Sequence, residues 1–146
     1  MRNIFLKSMA KIFIKTKRWP TVARYATKAV EPLHYLYMKS FHNMDLKSAV
    51  CVLVSQIPKG KVLGYGHVAI LIGRPNHARH VGFALSALPS NTTIPWWRVI
   101  RSDGSIALQG DIIRGPLQIR KLRAEKVVFK GNKVDMNKSK WDAQIW

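Results

Sequence analysis

Few residues in this chain could do chemistry, and the densest group of them is aromatic. Pro95-Trp96-Trp97-Arg98-Val99-Ile100 sets two adjacent indoles between a proline and an arginine. An indole has no low-pKa group and no lone pair able to accept a transferred group at neutral pH, so this stretch suits binding rather than reaction. Upstream lie Asn76-His77-Ala78-Arg79-His80-Val81-Gly82 and Gly60-Lys61-Val62-Leu63-Gly64-Tyr65-Gly66. Two indoles downstream of a helix that begins with Arg and His fit a pocket beside a nucleic-acid-binding helix. The alternative is that both tryptophans are ordinary core, because Trp is usually buried for its area. The single cysteine, Cys51, lies in the apolar run Ala49-Val50-Cys51-Val52-Leu53-Val54. No adjacent His or basic residue is there to lower its pKa, so a structural, buried thiol is expected. The sequence has no HExxH, GxSxG or Walker-type loop, and His67, His77 and His80 are spaced too loosely to argue for a metal. No catalytic residue, metal or cofactor is expected.

Composition points to a polyanionic partner. Lys and Arg number 25 against 7 Asp and Glu in 146 residues, a formal net charge of +18. Such a balance favours nucleic acid or an anionic membrane surface. Residues 1–44 carry nine basic residues against Glu31, which leaves sixteen against six and a net +10 for residues 45–146. The basic character is therefore not confined to a tail. One cysteine excludes an internal disulfide and every multi-cysteine zinc pattern, and suits a reducing compartment. Lysines interrupt each apolar stretch of the N-terminal region well short of the roughly 18 residues a membrane span needs, so no membrane association is expected.

The elements that must position these residues can be read in order. The chain is long enough for one domain, 45–146, preceded by a basic extension, 1–44. Within the extension, Lys7, Lys11, Lys15 and Arg18 share one helical face and Phe5, Met9, Ile12 and Phe13 the opposite one, as in a mitochondrial presequence or a DNA-touching arm. Asp45 is placed to cap a helix over 45–56 that ends before Pro58. Residues 62–63 are extended, and 65–72 form a short helix burying Val68, Ala69, Leu71 and Ile72. Gly73-Arg74-Pro75 turns into a second helix from His77 to Leu88, with Ala78, Val81, Ala84, Leu85 and Leu88 on one face. Two short helices about a glycine turn make a helix-turn-helix whose second member is the recognition helix. Asp103-Gly104, between Val99-Ile100 and Ile106-Ala107-Leu108, predicts a hairpin wing. Residues 116–125 predict a basic helix with Leu117, Ile119 and Leu122 inward and Arg114, Arg120, Lys121 and Arg123 largely solvated. A further hairpin is expected about Gly131-Asn132, and Trp141 and Trp146 are candidates for packing at the end. The fold class expected is mainly α, a winged helix-turn-helix-like domain with a small β-hairpin wing.

Three separated motifs give this pattern a family. Ile57-Pro58-x-Gly60-Lys61-Val62-x-x-Tyr65-Gly66, Gly73-Arg74-Pro75-x-x-Ala78-Arg79-x-Val81-Gly82 and Ile94-Pro95-Trp96-x-Arg98-Val99-Ile100-x-Ser102-x-Gly104 resemble the DNA-binding domain of the O6-alkylguanine-DNA alkyltransferases. Within that group the chain is similar to the alkyltransferase-like proteins, from about Asp45 to about Val128. Alkyltransferases carry Pro-Cys-His-Arg-Val, whose cysteine takes the alkyl group. Here Trp96 stands at the cysteine position and Trp97 at the histidine position, so the resemblance implies a protein that does not dealkylate. It also implies roles for single residues. Tyr65 corresponds to the tyrosine that crowds the phosphate beside the target and favours its rotation out of the stack. Arg79 corresponds to the arginine that enters the duplex and fills the gap, Trp96 lines the pocket, and Ala78 and Gly82 let the helix approach the minor groove closely. Pro95 and Arg98 shape the pocket loop. Two departures stand out. Trp97 replaces the usual histidine of Pro-Trp-His-Arg-Val, adding bulk and losing a hydrogen-bonding group, and Gln109 stands where better-known relatives place an arginine over the bound base.

The expected function is then non-enzymatic DNA-damage recognition. The protein, a monomer, would bind double-stranded DNA containing O6-alkylguanine in the minor groove, flip the lesion into a Trp-lined pocket and mark it for nucleotide excision repair proteins. Rotating a base out of the stack costs a few kcal/mol that other contacts must offset. The alternative is a basic DNA-binding or nucleoid protein without lesion selectivity. A covalent adduct on Cys51 would instead revive an enzyme. Location is expected to be the nucleus, or the mitochondrion if the basic N-terminus acts as a presequence.

Overall fold

In a computed structural model of the chain, residues 39–107 and 111–143 are described. The expectations for the basic amphipathic arm, Gln109 and Trp146 lie outside them. The order of elements is α1 (Leu46–Gln56), β1 (Leu63–Gly64), α2 (Tyr65–Leu71), α3 (Ala78–Ser86), a 3-10 turn (Trp96–Arg98), β2 (Val99–Ile100), α4 (Arg114–Ala124), β3 (Phe129–Lys130), β4 (Lys133–Val134) and α5 (Met136–Ser139). The molecule is mainly helical with small strands.

α1 starts where its sequence says it should. The Asp45 carboxylate accepts the Ser48 backbone N–H at 3.0 Å, one of the amides an α-helix leaves unpaired at its start. Ile57 is extended because the following proline excludes the helical conformation, and the helix stops. Its buried face, Ala49, Val50, Leu53 and Val54, packs with Val68, Ala69, Leu71 and Ile72 of the α2 segment and Val81, Ala84 and Leu85 of α3. Full burial of a side chain such as Leu53 contributes about 2 kcal/mol. Phe41 is buried in the same core, so the packed unit takes in residues ahead of Asp45. Gly73, at φ +75°, makes the left-handed turn that reverses α2 into the α3 approach, completing the helix-turn-helix.

A second cluster, of Val62, Ile100, Ile106, Leu122, Val127 and Val134, joins α4 and the C-terminal strands to the strand β2 that follows the Trp96–Arg98 turn, and Trp97 packs against both clusters. β3 and β4 pair antiparallel, Phe129 with Val134 and Lys130 with Lys133, about Gly131-Asn132 as expected. The Val62 backbone bonds both ways around the end of α5: its N–H donates to Ser139 O at 2.9 Å, and its carbonyl accepts from Trp141 N–H at 2.8 Å. Trp141 is partly buried against the first cluster.

The wing differs from expectation. β2 does not pair with residues 106–107, the described part of the expected return strand; it pairs parallel with β1, Leu63 opposite Val99 and Gly64 opposite Ile100. The tight turn at Asp103-Gly104 does form, with Arg101 N–H to Ser105 O at 3.1 Å and Gly104 N–H to Arg101 O at 3.0 Å. After it the chain descends, and Ile106 is buried in the second cluster instead of extending alongside β2. Gly104 sits at φ +84° against the Val134 carbonyl, where any Cβ would collide, and its own carbonyl accepts Val134 N–H at 2.9 Å. The turn is thus docked on β4.

Candidate nucleic-acid interface

The short parallel pair sets the geometry of the site. β1 runs directly into Tyr65, the first residue of α2, and β2 leaves directly from the Trp96–Arg98 turn, so their register holds the start of α2 beside the exit of that turn. Pro95 is buried and opens the turn. Trp96 follows, only 8% exposed. Its ring meets that of Trp97 edge-on, with centroids 6.1 Å apart and planes at 83°.

The guanidinium of Arg114 lies over the Trp96 ring, 4.9 Å from its centroid, and donates to the Ser86 carbonyl at the end of α3 at 3.0 Å. The N-terminus of α4 is thereby tied to the C-terminus of the recognition helix. Arg114 was expected to be solvated, and its contact with Trp96 was not legible, because it depends on how α4 docks. Tyr65 is half-buried, and a Cβ at Gly82 would come within 3.9 Å of its ring. Burial pushes the Tyr65 phenol up from its ordinary pKa, against the opposing fields of Arg101 and Arg114, which keeps the hydroxyl protonated and able to donate. Tyr65, Gly82, Arg114 and Trp96 therefore form one continuous region.

α3 displays Arg79 as an exposed side chain in its first turn, with Ala78 partly exposed beside it. The helix has no acidic residue in that turn and no side-chain cap on its amides. Helix N-termini of this kind suit phosphate. The His77 and His80 rings lie 5.0 Å apart at the same end.

Trp97 and Arg98 are arranged otherwise than a lesion contact requires. The Trp97 indole N–H donates to Glu125 Oε1 at 2.8 Å. Arg98 donates from Nε to Glu125 Oε2 at 2.9 Å and from Nη2 to Oε1 at 2.8 Å, while its Nη1 donates to the Ile57 carbonyl at 2.6 Å. The Arg98 and Glu125 side chains are 14% and 8% exposed. Burial works to raise the Glu125 pKa, but hydrogen bonds from Arg98, Trp97 and the Gly60 amide outweigh it and hold the carboxyl below its usual value. Lys121 covers the Trp97 ring at 4.0 Å. The expected loss of a hydrogen-bonding group at position 97 is thus corrected: the indole N–H supplies one, directed at Glu125. The polar atoms of Trp97 and Arg98 are directed at Glu125 and the Ile57 carbonyl, and both side chains brace the loop that carries Trp96. Gln118, fully buried, adds a second brace by donating from Nε2 to the Trp97 and Val99 carbonyls, each at 3.0 Å.

Glu125 and Gln118 were missed in the sequence. The signal available was an isolated acid in the basic run Arg120-Lys121-Leu122-Arg123-Ala124-Glu125-Lys126, together with Arg98 in apolar surroundings that demand a counter-charge. Cys51 lies on α1 but is only partly buried rather than enclosed as expected, because the buried face of the helix is Ala49, Val50, Leu53 and Val54; desolvation is the chief cause that raises its thiol pKa. Among the described residues no group of three or more His, Cys, Asp or Glu is placed to hold a metal.

Known proteins resemble the chain over this same region. The family described as 6-O-methylguanine DNA methyltransferase, DNA binding domain, matches residues 45–127. A Vibrio parahaemolyticus protein named DNA base-flipping protein is 46% identical over 94 residues, covering 63% of this chain and 91% of its own length. Alkyltransferase-like protein 1 of Schizosaccharomyces pombe is 48% identical over 54 residues, 37% of this chain and 50% of its own. Among solved structures, S. pombe Atl1 in complex with damaged DNA containing O6-carboxymethylguanine superposes with a TM-score of 0.62 at 31% identity, covering 71% of this chain and 96% of that one.

Proposed function

The chain belongs to the family of the 6-O-methylguanine DNA methyltransferase DNA-binding domain, and from this premise we propose that it is a DNA-damage recognition protein that binds O6-alkylguanine in duplex DNA without removing the alkyl group. The observation that carries the reading is Trp96, held by the braced loop at the region shared by Tyr65, Gly82 and Arg114. At that position an aromatic face can stack on an extruded base, worth on the order of 1–3 kcal/mol, but cannot take an alkyl group. Cys51 offers no substitute, since its raised pKa disfavours the thiolate that would be needed. The similarity to proteins named for base flipping and to a structure bound to damaged DNA supports the same reading.

In this mechanism the uncapped amides of α3 face a phosphate in the minor groove. Ala78 and Gly82 keep the helix surface low enough to approach the duplex. Tyr65 crowds the backbone beside the target, and Arg79 fills the vacated space, its planar guanidinium stacking on bases or donating to the orphaned cytosine. Because no bond to the lesion is broken, the protein's output is a marked site for nucleotide excision repair to process.

The test is a pair of binding titrations at fixed salt, against duplexes carrying guanine or O6-methylguanine at one position. The expected preference for the lesion is at least tenfold, about 1.4 kcal/mol, and Arg79→Ala should abolish it. Mass spectrometry of the complex should find no alkylated protein. One observation favours a second reading, a basic DNA-binding protein without lesion selectivity: Arg114 already covers the Trp96 ring. Equal affinity for both duplexes would select it.

A further inference from the structure

The recognition helix carries a side chain that none of these roles uses. α3 buries Val81, Ala84 and Leu85, yet Phe83 is 63% exposed. Among the described residues the large exposed apolar side chains are Ile70, Phe83, Ile112, Ile113 and Val128, so Phe83 is the one exposed ring among their Phe, Tyr and Trp side chains. It lies four residues after Arg79, which places both on one stripe of the helix, and helical side chains lean toward the N-terminus, over the turn that holds Arg79. Its chain neighbour Gly82 is the small residue against the Tyr65 ring.

What would cover this ring follows from its surroundings. Neither α2 nor α3 contains an acidic residue. Arg79 and His80 precede Phe83 on the helix, and Arg114 is bonded to Ser86 just beyond it. A partner must therefore accept an apolar ring while supplying negative charge on both sides of it. A DNA minor groove meets both demands, with phosphates at its edges and base steps at its floor, and apolar side chains wedge between such steps in other minor-groove proteins. We propose that Phe83 is a second insertion residue, whose ring enters the minor groove and leans against a base step next to the one occupied by Arg79. Four helical residues advance about 6 Å, comparable to one or two base steps at 3.4 Å each, so the two side chains need not compete for one gap. The inference rests on the duplex-binding reading above. It adds that the wedge helps hold the duplex open around the lesion and contributes an affinity term that salt does not screen.

The experiment uses the full chain with Phe83→Ala, Phe83→Gln and Phe83→Trp, titrated against the guanine and O6-methylguanine duplexes over a range of salt. A second duplex set carries 2-aminopurine one or two steps from the lesion, whose fluorescence rises when its stacking is lost. Since Phe83 is exposed, unchanged melting temperatures should establish that the variants are folded. Phe83→Ala and Phe83→Gln should bind about tenfold more weakly with an unchanged salt slope and a diminished 2-aminopurine signal, and Phe83→Trp should retain both. Wild-type affinity and signal in Phe83→Ala would overturn the proposal and leave the ring for a protein partner. So would a weakened variant with a shallower salt slope, because that reports a disturbed phosphate contact. If the wild-type protein shows no lesion preference, the damage-recognition reading fails, and the undamaged duplex still decides whether Phe83 is inserted.

Discussion

Glu125 accepts four hydrogen bonds, from the Trp97 indole, from two guanidinium nitrogens of Arg98 and from the Gly60 amide. A single carboxylate at the C-terminal cap of α4 therefore ties the loop that carries Trp96 to the Gly60 turn ahead of β1. Removing one partner of a largely buried pair leaves the other charge uncompensated, so Glu125→Ala should lose on the order of 3–5 kcal/mol in denaturant unfolding. The pH dependence has a definite sign. The folded-state pKa of Glu125 is lowered, so its stabilisation is fully present above the unfolded value of about 4.3 and is lost as pH falls through the folded one. Glu125→Gln should accordingly flatten the acid limb of a stability–pH curve below about pH 4. The need for such a partner was visible in Arg98, but which acid would supply it was not. The two residues are 27 positions apart and meet only because α4 packs against the Trp96–Arg98 turn. Arg114 supports a second prediction at this scale. Its guanidinium must leave the Trp96 ring or share it with an incoming base, and a cation–π contact is worth roughly 1 kcal/mol. Arg114→Ala should raise the ratio of lesion to undamaged affinity about fivefold while weakening binding to both duplexes by loss of a cation. An unchanged ratio in paired titrations would mean that the base stacks elsewhere.

At the level of elements, local signals were sufficient wherever the cause was local. The Asp45 cap, the Pro58 stop, the Gly73 turn and the hairpin about Gly131-Asn132 all follow from residues within four positions of the feature. The wing failed because its Asp-Gly turn is real while its strand partner is not. Pairing of β2 with β1 joins residues 36 positions apart, and the burial of Ile106 pulls the chain away from the return path. Periodicity over six residues cannot see either constraint. Gly104 is the element's critical residue. At φ +84° and against the Val134 carbonyl, an alanine would incur about 1–2 kcal/mol for the left-handed conformation alone, and more for the collision. Gly104→Ala should lower the denaturation midpoint by more than Asp45→Ala, which removes one cap hydrogen bond worth about 1 kcal/mol. The reverse order would place the turn outside the cooperative unit.

For the whole molecule, charge and pocket should be separable. The net charge of +18 supplies a duplex attraction that depends on counterion release, so log K should fall linearly with log salt at a slope near −0.9 per phosphate neutralised. Lesion preference has a different origin in the proposed mechanism. Stacking on Trp96 and filling of the gap occur away from bulk ions and change no phosphate contact between the two duplexes. Titrations with guanine and O6-methylguanine duplexes from about 50 to 200 mM salt, a range over which several phosphate contacts weaken binding by about 10³-fold or more, should therefore give parallel lines on a log–log plot. Their vertical separation is the pocket's contribution. A truncated protein comprising residues 39–146 would lose eight of the 25 basic residues and one of the seven acids. If the N-terminal arm touches phosphate and takes no part in lesion selection, this protein should show a shallower slope with an unchanged separation between its two lines. Lines that converge as salt rises would instead make the preference electrostatic, shifting the origin of selectivity from Trp96 to the distribution of cations around α3.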